Sequence, residues 1–376
     1  MAISRMACFV LALSLRFALG AGLAAAEPVP PDALIRKIQA VGAEGDGSNE
    51  AATAWKRLVA AGPSAFLPIL GQIDSSSPSA SNWLRMAVDA IADRETASKS
   101  PLPVATLEAW LKDGKNGPVS RRIAYDLLTR VDAKTPDRVL PGLIDDPNVE
   151  LRRDAIAHEL KRADALAGTD ADLKRATYRT LFDATRDPDQ TEAIAKRLLG
   201  LGTYADATAH YKPLTKWTIA GPFENLKAGN YAVALAPEKA VDLRATYPGK
   251  GGKTVAWSSF WGLGEYGSVN LNEALGKQKD AIAYAFTTVD SEKGGPAELR
   301  LGSPNAVRVF LEGKEVFARE EYHHGQRLDQ YVAKVTLKAG TNSLLLKICQ
   351  NDQKESWAQD WSFLIRVCDS AGTPVK

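Results

Sequence analysis

Cysteine is scarce in this chain of 376 residues, with three in all, at positions 8, 349 and 368. Cys8 falls in an apolar leader, which leaves two thiols near the ends of the last two predicted strands. A hairpin turning at residues 352–358 would set Cys349 beside Phe363 and Cys368 beside Leu344. A disulfide needs Cα atoms within about 7 Å, so two separate buried thiols are the expectation. Recognisable catalytic signatures are also missing. There is no G-x-S-x-G, H-E-x-x-H, P-loop or S-x-x-K, which removes the common hydrolase, metalloprotease, nucleotide-binding and β-lactamase patterns.

Net charge is the third thing the chain has little of. The formal balance is +2, and removal of a leader carrying Arg5 and Arg16, and no acid, takes the remainder to neutral. Such a chain has no overall electrostatic attraction for nucleic acid or anionic lipid. Runs such as Arg152-Arg153 and Lys174-Arg175 read as solvated helix faces.

The leader itself reads as an export signal over residues 1–26. Arg5 supplies the basic region, Phe9 to Leu23 the apolar length, and Ala24-Ala25-Ala26 a small-residue cleavage site before Glu27. Arg16 interrupts the apolar run and disfavours a stable span, since a charge at mid-bilayer costs about 3 kcal/mol. A periplasmic or extracellular location follows. The length and the 45% hydrophobic content suit two globular domains.

What the chain does carry is a change of register near Trp217. Residues 27–212 show apolar positions at helical spacing, with breaks at Gly62-Pro63, Ser77-Pro78, Pro101, Gly117-Pro118, Pro136, Pro147 and Pro188. Three segments align: Arg85-Met86-Ala87, Arg122-Ile123-Ala124 and Arg153-Asp154-Ala155, each opening a similar apolar stretch. The clearest copy runs from Val139 through Asp146-Pro147 to Ile156. Its Asp-Pro turn and its Val149, Arg152 and Ala155 resemble the HEAT repeat. That resemblance implies helix pairs stacked into a solenoid, because one pair cannot bury both of its faces. A solenoid would offer a surface to a protein partner.

From residue 213 to 376 the period falls to two. Strands are predicted at Trp217–Ala220, Thr254–Trp257, Ile282–Val289, Ala297–Leu301, Val307–Leu311, Glu315–Arg319, Tyr331–Leu337, Ser343–Cys349 and Ser362–Val367. Turns at Glu312-Gly313 and at Lys338-Ala339-Gly340-Thr341-Asn342 separate them. The L-x-x-G-x-N of Leu337, Gly340 and Asn342, and the preceding turn in which Glu312 replaces the usual Asn, resemble the galactose-binding-like jelly roll. The fold class expected is therefore a multidomain α plus β chain, a HEAT-like helical array followed by an antiparallel jelly-roll β-sandwich. That fold alone does not specify a ligand.

Candidate chemistry is confined to the strand half. Gly262-Leu263-Gly264-Glu265-Tyr266-Gly267 matches G-x-G-x-x-G but lacks the strand-turn-helix context of a dinucleotide site, so it reads as a flexible loop. Glu320-Glu321-Tyr322-His323-His324 holds metal-ligand chemistry, but zinc needs three or four convergent ligands, and an exposed polar loop is the simpler reading. Aromatic faces suit the C–H side of a pyranose, and Trp261, Tyr266 and Trp357 are placed in loops beside Glu265, Asn351, Asp352 and Gln353, whereas Trp217, Trp257 and Trp361 are assigned to the core. The candidate ligand-binding set is thus Trp261, Tyr266, Tyr322, His323, His324 and Trp357. No cofactor is expected; a structural calcium ion is left open. The leading reading is an exported, non-enzymatic binding or scaffold protein whose sandwich engages carbohydrate or an envelope component. A purely structural or assembly role is the alternative, and a glycan-active enzyme, which would need paired carboxylates across a cleft, is the third.

Overall fold

The computed structural model describes residues 29–166 and 170–375, so the expected leader lies outside the described residues. The chain separates into two compact units, the first ending at Val104 and the second beginning at Ala105.

The first unit is helical. Helices α1 (Pro31–Gln39), α2 (Ser48–Ala60), α3 (Phe66–Ile73) and α4 (Pro78–Ala97) bury stripes three and four residues apart, such as Leu34, Ile35 and Ile38 on α1 and Leu84, Ala87, Val88 and Ile91 on α4. Pro78 occupies the first turn of α4, where its missing N–H is no loss, and the Ser77 hydroxyl accepts from the Ala80 amide.

The second unit contains more helices and all of the sheets. Its helical part comprises α5 (Val104–Lys112, which starts on the boundary), α6 (Pro118–Val131), α7 (Thr135–Val139), α8 (Val149–Asp164), α9 (Ala171–Ala184), α10 (Pro188–Gly200) and α11 (Ala207–Tyr211). The segment alignment has a physical basis. Ala124 and Ala155 are fully buried, so helices can approach closely there. Arg122 on α6 reaches Asp154 on α8, and the corresponding Arg153 on α8 reaches Asp189 on α10. At the Asp-Pro turn, Asp146 accepts a bidentate bond from Arg121 at 2.7 and 2.6 Å, and Arg152 donates to the Asp146 carbonyl at 2.9 Å.

Twelve strands follow: β1 (Lys216–Glu224), β2 (Thr246–Pro248), β3 (Thr254–Ala256), β4 (Ser258–Trp261), β5 (Val269–Asn270), β6 (Ala281–Ser291), β7 (Gly295–Gly302), β8 (Ala306–Leu311), β9 (Lys314–Arg319), β10 (Tyr331–Leu337), β11 (Gly340–Gln350) and β12 (Ser362–Cys368). A six-stranded antiparallel sheet runs β4-β1-β6-β11-β8-β9, a four-stranded one runs β10-β7-β12-β5, and β2 and β3 form a separate ribbon. Two short helices, α12 (Ala236–Lys239) and α13 (Leu271–Leu275), interrupt the strands. The inner faces of both sheets close on one core that includes Trp217, Ile219, Leu299, Leu301, Leu346, Phe363 and Ile365. The helical half and the antiparallel sheets agree with the α plus β class expected.

All nine expected strands are present, and three short ones, β2, β4 and β5, are added. One expectation is corrected. The last two long strands do not form a hairpin: β11 pairs with β6 and β8, while β12 pairs with β7 and β5 in the other sheet. Cys349 and Cys368 are both buried free thiols on different sheets.

The turn motif explains itself. The fully buried Asn342 side chain accepts from the Lys338 amide at 2.9 Å and donates to the carbonyls of Lys338 and Gly340, both at 3.0 Å. Gly340 has φ +86°, a conformation costly for a residue with a Cβ. Asn342 thus replaces the missing backbone pairing inside a β-turn.

On its outer face the six-stranded sheet is covered by residues 225–257. Fully buried Lys347 on β11 donates to the carbonyls of Asn230 at 2.8 Å and Val233 at 2.7 Å, and to the Glu238 carboxylate at 3.0 Å. Helices and sheets within this unit are joined by Arg366 on β12. Its guanidinium donates to Asp329 at 2.7 Å and to the Gly372 carbonyl at 2.9 Å, and it lies 4.9 Å over the ring of Tyr211 from α11.

Candidate functional site

An open cleft of about 930 Å³ lies within the second unit. One wall is the start of α10, with Asp189 and Glu192. The opposite side comes from the end of β4 and the loop that follows, from α13, and from residues 326–328 and 360–362. Four separated stretches of sequence therefore build it.

Trp261 is the aromatic edge of the cleft. It ends the edge strand β4 instead of lying in a loop, a correction that follows from its pairing with Lys216 on β1. A strand end holds it more firmly than a loop would. It remains 51% exposed, and the Lys216 ammonium sits 5.0 Å over its ring. Tyr266 also lines the cleft, in a different capacity. It is 8% exposed, adopts φ +50°, and packs edge-on to Tyr211 at 5.7 Å. Its hydroxyl donates to Glu192, and its amide donates to the Thr208 hydroxyl at 3.3 Å. Burial first, and then the adjacent Glu192 carboxylate, raise its pKa well above that of an ordinary tyrosine. Tyr266 is a strut in the wall, with no open ring face to stack on.

The glycines around it form a tight connector. A Cβ on Gly262 would stand 2.3 Å from the Gly267 carbonyl oxygen. The G-x-G-x-x-G spacing thus reflects a loop folded against itself between β4 and β5, and no long helix follows it.

Polar groups on the floor are positioned by one another. Gln326 donates to the Ser268 hydroxyl at 2.8 Å and accepts from the Ser362 hydroxyl at 2.6 Å. Asn270 caps α13, accepting from the Asn272 amide at 3.0 Å and donating to Glu273 at 2.9 Å. The Asn272 amide nitrogen donates to the Gln359 carbonyl at 2.9 Å, while its Oδ1 is buried without a hydrogen-bond partner among the described residues. Glu265, Arg327 and Asp360 line the space with no side-chain hydrogen bond or ion pair among the described residues. Asp189 differs: Arg153 binds it at 2.8 Å and lowers its pKa. These groups went unseen in the sequence, apart from Glu265, because their convergence depends on tertiary contacts.

The remaining candidates lie elsewhere. Tyr322, His323 and Trp357 form a second aromatic group in which His323 meets Trp357 edge-on at 5.5 Å and Tyr322 at 6.1 Å. His323 shares a hydrogen bond with Asn351 at 2.7 Å, and Asn351 donates to Gln353 at 3.0 Å. Trp357, in a short turn, is 60% exposed. Tyr322 is half-buried, and burial raises its pKa. His324 turns to Tyr331 instead, at a ring separation of 6.0 Å. The six candidates thus fall into separate places. Among the described residues no group of three or more His, Cys, Asp or Glu is arranged to hold a metal, and no helix is long and apolar enough to cross a membrane.

No family model matches the chain, and no curated protein does. Some solved structures are similar in part. The PA14 domain of the MpAFP antifreeze protein is 11% identical over 25% of this chain and 46% of its own, with a TM-score of 0.21. The β-glucosidase from Kluyveromyces marxianus in complex with glucose is 11% identical over 41% of this chain, with a TM-score of 0.26. This chain spans only 16% of that enzyme's length. The Pseudomonas fluorescens alkylpurine DNA glycosylase AlkC, bound to DNA, is 10% identical over 92% of this chain and 95% of its own, with a TM-score of 0.20. Scores this low carry no argument about function.

Proposed function

We propose that this is an exported, non-enzymatic binding protein whose cleft engages a glycan. In this reading a HEAT-like helical array is followed by a galactose-binding-like sandwich, and α10 supplies one wall of the site. The observation that carries it is the half-exposed Trp261 at the edge of an open cleft of about 930 Å³ lined by amide, hydroxyl and carboxylate groups. A flat aromatic ring takes the C–H side of a sugar, and side chains fixed in advance by Gln326 and Asn270 can meet its hydroxyls at low ordering cost. An open shape suits retention of a chain better than the enclosure of a reaction.

The test is calorimetric titration of the full chain against a panel of oligosaccharides, with calcium and with EDTA. Binding is expected under both conditions, and Trp261→Ala should weaken it about ten-fold, or about 1.4 kcal/mol. Absence of binding across the panel would overturn the reading. It would favour the alternative, an assembly role without small ligand, which is supported by exposed Leu173, Leu199 and Tyr204 near the ends of α9 and α10.

A further inference from the structure

We infer that the cleft prefers cationic amino sugars to neutral ones and rejects uronic acids, an inference that rests on the glycan reading above. Five carboxylates, from Asp189, Glu192, Glu265, Glu273 and Asp360, face the space with a single guanidinium, that of Arg327. Only Asp189 is neutralised locally, by Arg153. Glu192 and Glu273 accept hydrogen bonds from the neutral donors Tyr266 and Asn270 and have no ion-pair partner among the described residues. The deficit in this cleft is therefore of positive charge, which an ammonium-bearing sugar provides.

Specificity is a difference between affinities, and like charge in a concave site opposes the wrong ligand as effectively as new contacts favour the right one. A uronate carboxylate entering the cleft would meet several carboxylates, with Arg327 as the one cationic lining residue and Lys216 at the rim over Trp261. A glucosamine ammonium would meet the same carboxylates as partners. Because the cleft is open to solvent, the effect must be salt-dependent.

The experiment compares three β- or α-linked hexamers of similar length on the full chain: glucosamine, glucose and galacturonic acid, at low and at raised salt. The expected order is glucosamine, then glucose, then galacturonate, with about ten-fold steps at low salt that shrink as salt rises. In Glu265→Gln/Asp360→Asn the ratio of glucosamine to glucose affinity should fall towards one. If those substitutions disturb folding, the salt dependence of the unsubstituted chain still decides. Glucose binding with no advantage for glucosamine, or galacturonate binding as tightly as glucose, would overturn this inference and leave the glycan reading standing. Failure of all three to bind would overturn both.

Discussion

The hydroxyl of Tyr266 donates to the carboxylate of Glu192, so the loop after β4 is tied to the first turns of α10. That bond holds the two walls of the cleft against each other. It also helps to keep Tyr266 in a backbone conformation, φ +50°, that is uncommon for a residue with a side chain.

Tyr266→Phe should therefore cost about 1 kcal/mol of stability, the usual net value of a lost hydrogen bond when the remaining carboxylate can still reach water. Glycan affinity should fall with it, because the wall is less well placed. Chemical denaturation and calorimetry on the same variant would check both; an unchanged midpoint with unchanged affinity would show that the tie has no role.

His210 predicts a pH response. Burial, the largest cause, lowers its pKa below 6.5, opposed by its contact with the Thr185 carbonyl at 2.8 Å. A histidine that binds protons more weakly when folded contributes stability that is complete above about pH 6.5 and lost as pH falls towards the lowered value. The melting temperature should drop between neutral pH and about pH 5, and His210→Gln should reduce the drop.

Lys347→Met should destabilise the second unit by about 3–5 kcal/mol. It removes the buried ammonium that faces the Glu238 carboxylate, which retains the Tyr284 hydroxyl and a more distant Arg308 at 4.0 Å, and it frees two carbonyls. Adding Glu238→Gln should recover part of the loss. Thermal unfolding of the single and double variants measures the coupling.

Asn342→Ala should cost about 2–3 kcal/mol, since the Lys338 amide and the carbonyls of Lys338, Gly340 and Val289 would lose the fully buried side chain that pairs them. Asn342→Asp should be nearly as harmful, because it keeps the acceptor and removes the donor.

Thiol accessibility gives a further check. Burial raises the pKa of Cys349 to about 12 and that of Cys368 to about 11, so neither forms thiolate readily at neutral pH. Native protein should react with a thiol reagent far more slowly than denatured protein. Prompt labelling would show that the strands open.

Much of this architecture could be read from the residues. Alternation identifies most of the nine strands because they present a buried face, β9 with its half-buried Val316 and Phe317 being the exception, and proline marks the starts of α4, α6 and α10. The short strands β2, β4 and β5 offer periodicity little to register, so Trp261 reads as a loop residue, whereas the equally short β3 shows through its Thr254-Val255-Ala256 alternation. Sheet membership of β11 and β12 is a long-range choice that adjacency in sequence cannot decide. Two residues of the site, Trp261 and Tyr266, were legible as aromatics near glycines. Their different roles were not, since only packing against Tyr211 and Glu192 separates a ring that is open from one that is walled in. Lys347 was hidden in a run that reads as apolar, because its partners lie more than a hundred residues away.

The wall formed by Asp189 and Glu192 belongs to the helical stretch of the sequence, while the floor belongs to the strand-rich stretch. Arg366 and Tyr211 fasten those stretches together in one unit. A sandwich cut out at residue 213 would leave the Pro188, Asp189 and Glu192 wall of the cleft behind. A grafted sandwich from another chain would inherit a wall it had not evolved beside. On the proposed reading, ligand choice is a property of the joint, and changes on either side of residue 213 should alter it.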